Sequence, residues 1–129
     1  MLNSKRREIH SLYIDWDSDL ILVEGVFDAV CAGNAVPILG STLRADSKLL
    51  QKIVYNDTPV YIALDPDAAI KERKIIKMLL KYDIELYKID VSGYEDVGSM
   101  PRDTFKDRKQ KAVFIDRDDY LLVDMLSAI

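Results

Sequence analysis

Cysteine and histidine are nearly missing: Cys31 and His10 are the only ones in 129 residues. A single cysteine excludes an intrachain disulfide and a thiolate zinc cluster, and a lone histidine near a terminus is ordinarily a surface residue. Ser-His-Asp triads and Cys/His zinc chemistry drop out with them. Any catalysis must use carboxylates, hydroxyls, lysines or a metal held by oxygen. Glycine (5) and proline (4) are sparse, and neither an internal repeat nor a low-complexity segment is visible. No run approaches the roughly 18 apolar residues that a membrane span needs. The basic start, MLNSKRREIH, has no apolar stretch behind it to make a secretory signal. These absences lead to the expectation of a cytoplasmic protein with no membrane partner.

An excess of positive charge is lacking too. The net charge of −4 is wrong for a protein that binds nucleic acid by bulk electrostatics alone. It suits a carboxylate site neutralised by cations, and equally a plain acidic surface. The apolar and charged fractions, 49% and 31%, are ordinary for a soluble globular protein, and the length suits one domain.

After residue 19, short apolar runs alternate with helical stretches. Leu20 to Val23 reads as a strand buried on both faces, and Val26 to Gly33 as a short helix ended by Gly33-Asn34. Ala35 to Leu39 reads as a second strand, Ala45 to Tyr55 as a helix, and Val60 to Leu64 as a third strand running into Asp65-Pro66-Asp67. A helix follows over 68–82, a fourth strand over 84–89, a polar loop over 91–101, and two helical stretches over 102–111 and 118–127. Strands alternating with helices predict an α/β, Rossmann-like fold: about four parallel strands flanked by helices. The first 19 residues resemble the tail of a preceding element. The expected division is therefore an N-terminal segment over 1–19 and a domain with its C-terminal helices over 20–129, in a chain cut from a longer protein.

In an open parallel sheet, ligands bind outside the carboxyl ends of the strands. Strand one ends at Glu24-Gly25 and strand three at Asp65-Pro66-Asp67. Carboxylates gathered there repel one another, and magnesium relieves the repulsion while keeping positions for water and phosphate. In an extended segment Asp65 and Asp67 project the same way, and Pro66 stiffens the link. Gly25 leaves the backbone free to turn and lets a phosphate approach. Asp28 comes back toward Glu24 after one helical turn. Each acidic group alone reads more readily as a cap or turn residue; the pair at matching ends of two strands shifts the reading to function.

Leu22-Val23-Glu24-Gly25-Val26-Phe27-Asp28-Ala29 resembles the glutamate motif of Toprim domains in their DNA-primase form. Leu39-Gly40-Ser41-Thr42-Leu43 is similar to the Leu-Gly-Thr segment after the second strand of those proteins, and Ala63 to Ala69 resembles their Asp-x-Asp motif. Order and spacing agree over about residues 20 to 100, closest to primases of bacteria and their phages, and the divergent wording suggests a phage protein. The resemblance implies a Toprim fold in which Glu24, Asp65 and Asp67 bind magnesium, with manganese as a substitute, and carry nucleotidyl transfer, and Asp28 and Asp96 join the metal set directly or through water. Glu24 serves either as a ligand or as a proton carrier. The acidic loop after the fourth strand falls at Tyr94 to Gly98, where Asp96 fits the first acidic position and Gly98 replaces the second. Ile70 departs from the glycine usual after Asp-x-Asp-x-Ala.

The implied partners are single-stranded DNA template and nucleotides, with a replicative helicase or flanking domains beside them, in the host cytoplasm if the protein is phage-encoded. A primase also needs a template-gripping region and usually a zinc module. With neither in this sequence, weak or absent primer synthesis by the isolated chain is expected. Two alternatives stay open: a small Toprim nuclease hydrolysing DNA or RNA, and a non-catalytic metal- or partner-binding module.

Lys71, Lys74, Lys77 and Lys81 form a stripe on the helix after Asp67. The stripe reads first as a solvated face and second as a track for phosphates. Gly40, Ser41 and Thr42 either offer N–H groups to a phosphate or simply turn the chain. Lys5-Arg6-Arg7 is too short a basic cluster to argue a nucleic-acid contact strongly. Tyr13, Trp16 and Tyr61 read as packing residues.

Overall fold

The computed structural model describes residues 13–38 and 47–128. Among them are five strands, β1 (Leu20–Val23), β2 (Ala35–Pro37), β3 (Val60–Ile62), β4 (Leu86–Lys88) and β5 (Val113–Phe114). The helices are α1 (Val26–Ala32), α2 (Lys48–Asn56), α3 (Ala69–Lys81), α4 (Arg102–Gln110) and α5 (Arg117–Ser127), with a 3-10 turn at Val97–Ser99. No helix among the described residues is long and apolar enough to cross a membrane.

The strands form one sheet in the order β2-β1-β3-β4-β5. The first four are parallel and β5 runs antiparallel to β4, pairing Tyr87 with Phe114 and Lys88 with Val113. This corrects the expectation of a four-stranded, all-parallel sheet: the protein is α/β with a mixed, five-stranded sheet. The added strand is possible because α4 ends at Gln110, capped by Lys111, and the chain then turns back beside β4, where Ile115 N–H donates to Leu86 O at 2.9 Å. A two-residue edge strand exposes little unpaired backbone.

All four residues of β1 are buried, as a central parallel strand requires. Their side chains alternate between two cores. Leu20 and Leu22 join Val60, Ile62 and Leu86 against Leu50 and Ile53 of α2 and Ile75, Ile76, Leu79 and Leu80 of α3. Ile21 and Val23 join Ala63 and Ile89 against Ala29 of α1, Val97, Met100 and Phe105. Helices thus cover both faces.

Residues 13–19, set apart on sequence grounds, are tied to this body. Asn34 Nδ2 donates to the carbonyls of Asp15 and Asp19, and buried Thr58 donates its hydroxyl to Trp16 O at 2.8 Å. Trp16 packs against the first core and Tyr61 against the second, whereas Tyr13 is 73% exposed and packs as neither. That corrects its reading as a packing residue: it precedes the first anchoring contact, Asp15 N–H to Asn34 Oδ1.

Candidate functional site

The chain leaves β1 to form β2 on one side, then crosses back to form β3 on the other. The carboxyl ends of β1 and β3 therefore meet at a topological switch point, where the two connections diverge and open a crevice. Pairing of Leu22 with Ile62 continues through a bond from Ala63 N–H to Leu22 O at 2.9 Å. Glu24 and Asp65 consequently leave the sheet side by side. They line one cleft of about 640 Å³ together with Asp67, Ala68, Ala69, Ile70, Lys71 and Lys74.

Asp65 is the most perturbed group there. Its Oδ1 is buried and, among the described residues, accepts no hydrogen bond. Burial, then the negative charges of Asp28, Glu24, Asp96 and Asp67, push its carboxyl up from 3.8 to about 6. A buried oxygen without a donor is costly unless something else satisfies it.

Asp65-Pro66-Asp67-Ala68 is a turn, closed by Ala68 N–H to Asp65 O at 3.0 Å, with Pro66 at the position a proline favours. The expected extended segment is therefore corrected. The two aspartates reach the same cleft because the chain bends between them, not because a pleat alternates.

Glu24 accepts a hydrogen bond from Lys71 Nζ at 2.7 Å, joining the end of β1 to the first turn of α3. Lys74, exposed and less than one turn further on, also lines the cleft. Lys77 does not: it pairs with Asp124 of α5 at 2.7 Å, beside Arg73 at 3.2 Å. Lys81 is exposed at the helix end. The stripe thus divides, with two lysines at the cleft, one clamping α5 and one in solvent.

Asp28 sits beside the cleft with each carboxylate oxygen engaged by a backbone donor. Only 7% exposed, it accepts from Gly25 N–H at 3.1 Å and from Gly98 N–H at 2.8 Å. It ties the start of α1 to the loop after β4. These two bonds give Asp28 a positioning part beside the cleft. Asp96 caps the 3-10 turn, accepting from Ser99 N–H at 2.9 Å and Ser99 Oγ at 2.8 Å through one oxygen. Its charge still reaches Asp65.

Packing accounts for the glycine at position 98. A Cβ there would lie 2.5 Å from the Phe27 ring and 2.9 Å from Asp28 Oδ1, so no aspartate fits without moving them. Gly25 is different. Its φ of −125° suits any residue, and a Cβ would meet only Asp28 at an ordinary 3.5 Å. The turn does not require glycine. Gly40, Ser41 and Thr42, with Lys5, Arg6, Arg7 and His10, lie outside the described residues.

Among the described residues no three acidic, histidine or cysteine side chains stand as a group able to enclose a metal. A cage is not what magnesium needs. It binds through one or two carboxylates, keeps waters, and takes its remaining oxygens from substrate phosphates. The orphaned Oδ1 of Asp65, beside Glu24 and Asp67 in an open cleft, fits a hard cation held in that way. The sequence could not show that Lys71 meets Glu24, because the two are 47 positions apart. No family model matches the chain, and no curated protein matches it.

Proposed function

We propose that this chain is a Toprim-type domain which uses magnesium at the Glu24, Asp65 and Asp67 cleft for nucleotidyl transfer, as the catalytic core of a phage-type DNA primase. The observation that carries the reading is Asp65: a carboxylate with a buried, unsatisfied oxygen, on a residue that lines one cleft with Glu24 and Asp67 at the switch point of the sheet. A protein of net charge −4 also needs a cation between these acids and a phosphate.

Asp65 and Asp67 would hold the metal, with Glu24 as a ligand or as the group that moves a proton at the reacting oxygen. Asp28 and Asp96 shape the surroundings. Asp28 fixes Gly25 against the loop at Gly98, and Asp96 fixes the turn at Ser99. Magnesium bound here supplies charge neutralisation and alignment of a triphosphate for in-line attack by a 3′-hydroxyl. Lys74 on the cleft wall offers the phosphates a cation, and Gly25, next to Glu24 in the chain, brings no side chain against them. The single-stranded template, and a helicase or flanking domains, complete the reaction from outside this domain.

The test is binding of a labelled ribonucleoside triphosphate to the chain with and without magnesium. The reading expects magnesium-dependent binding, lost when Asp65→Asn and Asp67→Asn are combined. Binding indifferent to magnesium contradicts it. Incubation with labelled single-stranded DNA separates primase from nuclease chemistry, since only a nuclease shortens the strand.

A further inference from the structure

Lys71 contributes the only ion pair found across the cleft among the described residues, and it makes that pair with Glu24. Both side chains are mostly shielded, 21% and 17% exposed, and Nζ stands 2.7 Å from Oε2. The other acids on the cleft wall receive no such partner: Asp65 keeps an orphaned oxygen and bears the repulsion of its neighbours. One ammonium thus neutralises one carboxylate of the group. A lysine suits a replaceable bond, because its charge is compact, its stem is flexible and its donors rotate.

We infer that Lys71 is a resident counter-ion which holds Glu24 in place while the site lacks a divalent cation and surrenders it when the cation binds. This rests on the magnesium reading above and adds to it an exchange. Loading breaks the Lys71–Glu24 pair, and the freed ammonium stays on the wall it shares with Lys74, facing an incoming phosphate. Lys71 is a positioning residue in this scheme. It keeps the glutamate at the cleft and prevents the acids from repelling one another apart.

The exchange predicts that removing the competitor tightens cation binding. Magnesium chloride alone is titrated calorimetrically into the full chain and its variants, each first checked for folding by circular dichroism. Lys71→Met should lower the Kd for magnesium about five- to ten-fold, the range of a broken coupling between contacting groups. Lys74→Met removes the same charge from the same cleft without touching Glu24, and should change the Kd by about two-fold at most, as a screened charge does. The gain from Lys71→Met should vanish in a Glu24→Gln background, and Lys71→Gln should repeat it if Lys71→Met does not fold.

An effect of Lys71→Met no larger than that of Lys74→Met overturns the exchange, and so does a gain that survives Glu24→Gln. Either result leaves the magnesium site standing. Absence of magnesium binding in the unmodified chain and in every variant removes the metal reading itself, and the exchange with it.

Discussion

Gly98 donates its backbone N–H to Asp28 Oδ1 at 2.8 Å, and a Cβ at position 98 would stand 2.9 Å from that oxygen and 2.5 Å from the Phe27 ring. The loop after β4 thus rests directly on the first turn of α1. A side chain at this point must push something aside, and the hydrogen bond resists the movement. Gly98→Ala should lower stability by about 1–2 kcal/mol, the usual cost of overpacking. Phe27 is 68% exposed, so its ring can be removed without hollowing the core. Urea unfolding of Gly98→Ala with Phe27→Ala should recover part of the loss, leaving the share due to Asp28.

Asp28 satisfies two backbone donors, one from Gly25 three positions away and one from Gly98 70 positions away. Asp28→Ala strands both, and should cost about 2–3 kcal/mol by the penalty for buried unsatisfied groups. Asp28→Asn keeps one acceptor and should cost about half as much. Chemical denaturation with a chelator present checks this, because the role assigned to Asp28 is independent of metal.

Asp65 should imprint itself on the pH dependence of stability. Its folded carboxyl titrates near 6, raised from 3.8 first by burial and then by the surrounding acids. A group raised on folding stabilises most below its unfolded value, and that contribution is lost as pH rises through the folded value. Stability measured without metal should therefore decline from about pH 4 to about pH 6 on account of this residue. Asp65→Asn should flatten that decline and stabilise the protein at pH 7 by about 1 kcal/mol, after allowance for solvent screening.

The C-terminal helix depends on a different acid. No residue of α5 is fully buried, and Asp124 holds it to α3 through Lys77 and Arg73. The Lys77 hydrogen bond, with the positive charges of Lys77 and Arg73, lowers the Asp124 carboxyl below 3.8 despite some burial. A depressed carboxyl contributes above its unfolded value, and the contribution is lost as pH falls through the folded one. Protection against hydrogen exchange over 117–127, corrected for the intrinsic rate at each pH, should be higher at pH 7 and fall below about pH 4. Asp124→Asn should bring faster exchange already at pH 7.

Much of this architecture is legible in the sequence. β1 to β4 and the five helices fall where apolar runs and helical spacing put them, because those signals come from burial on both faces of a sheet. β5 is not legible: Val113 and Phe114 are two exposed residues with no pattern to announce them. At the site, strand ends predicted which acids would be near one another. They did not reveal what each oxygen accepts. The spacing of Asp28 from Glu24 hides its bond to Gly98, and the even spacing of four lysines hides that Lys71 and Lys77 serve different partners. Gly98 looked like a missing ligand and is a packing requirement, a distinction that only three-dimensional contact supplies.

Manganese offers the most direct view of the proposed metal position. Titrated into isotope-labelled protein, this paramagnetic ion broadens amide signals according to their distance from it. Signals of Glu24, Gly25, Asp65 and Asp67 should disappear first, be restored by excess magnesium, and persist when Asp65→Asn and Asp67→Asn are combined. Amides of Tyr55 and Asn56, which precede β3 at the opposite end of the sheet, should stay sharp. Broadening centred elsewhere, such as on Asp116, Asp118 and Asp119 at the start of α5, or none at the cleft, would contradict the account.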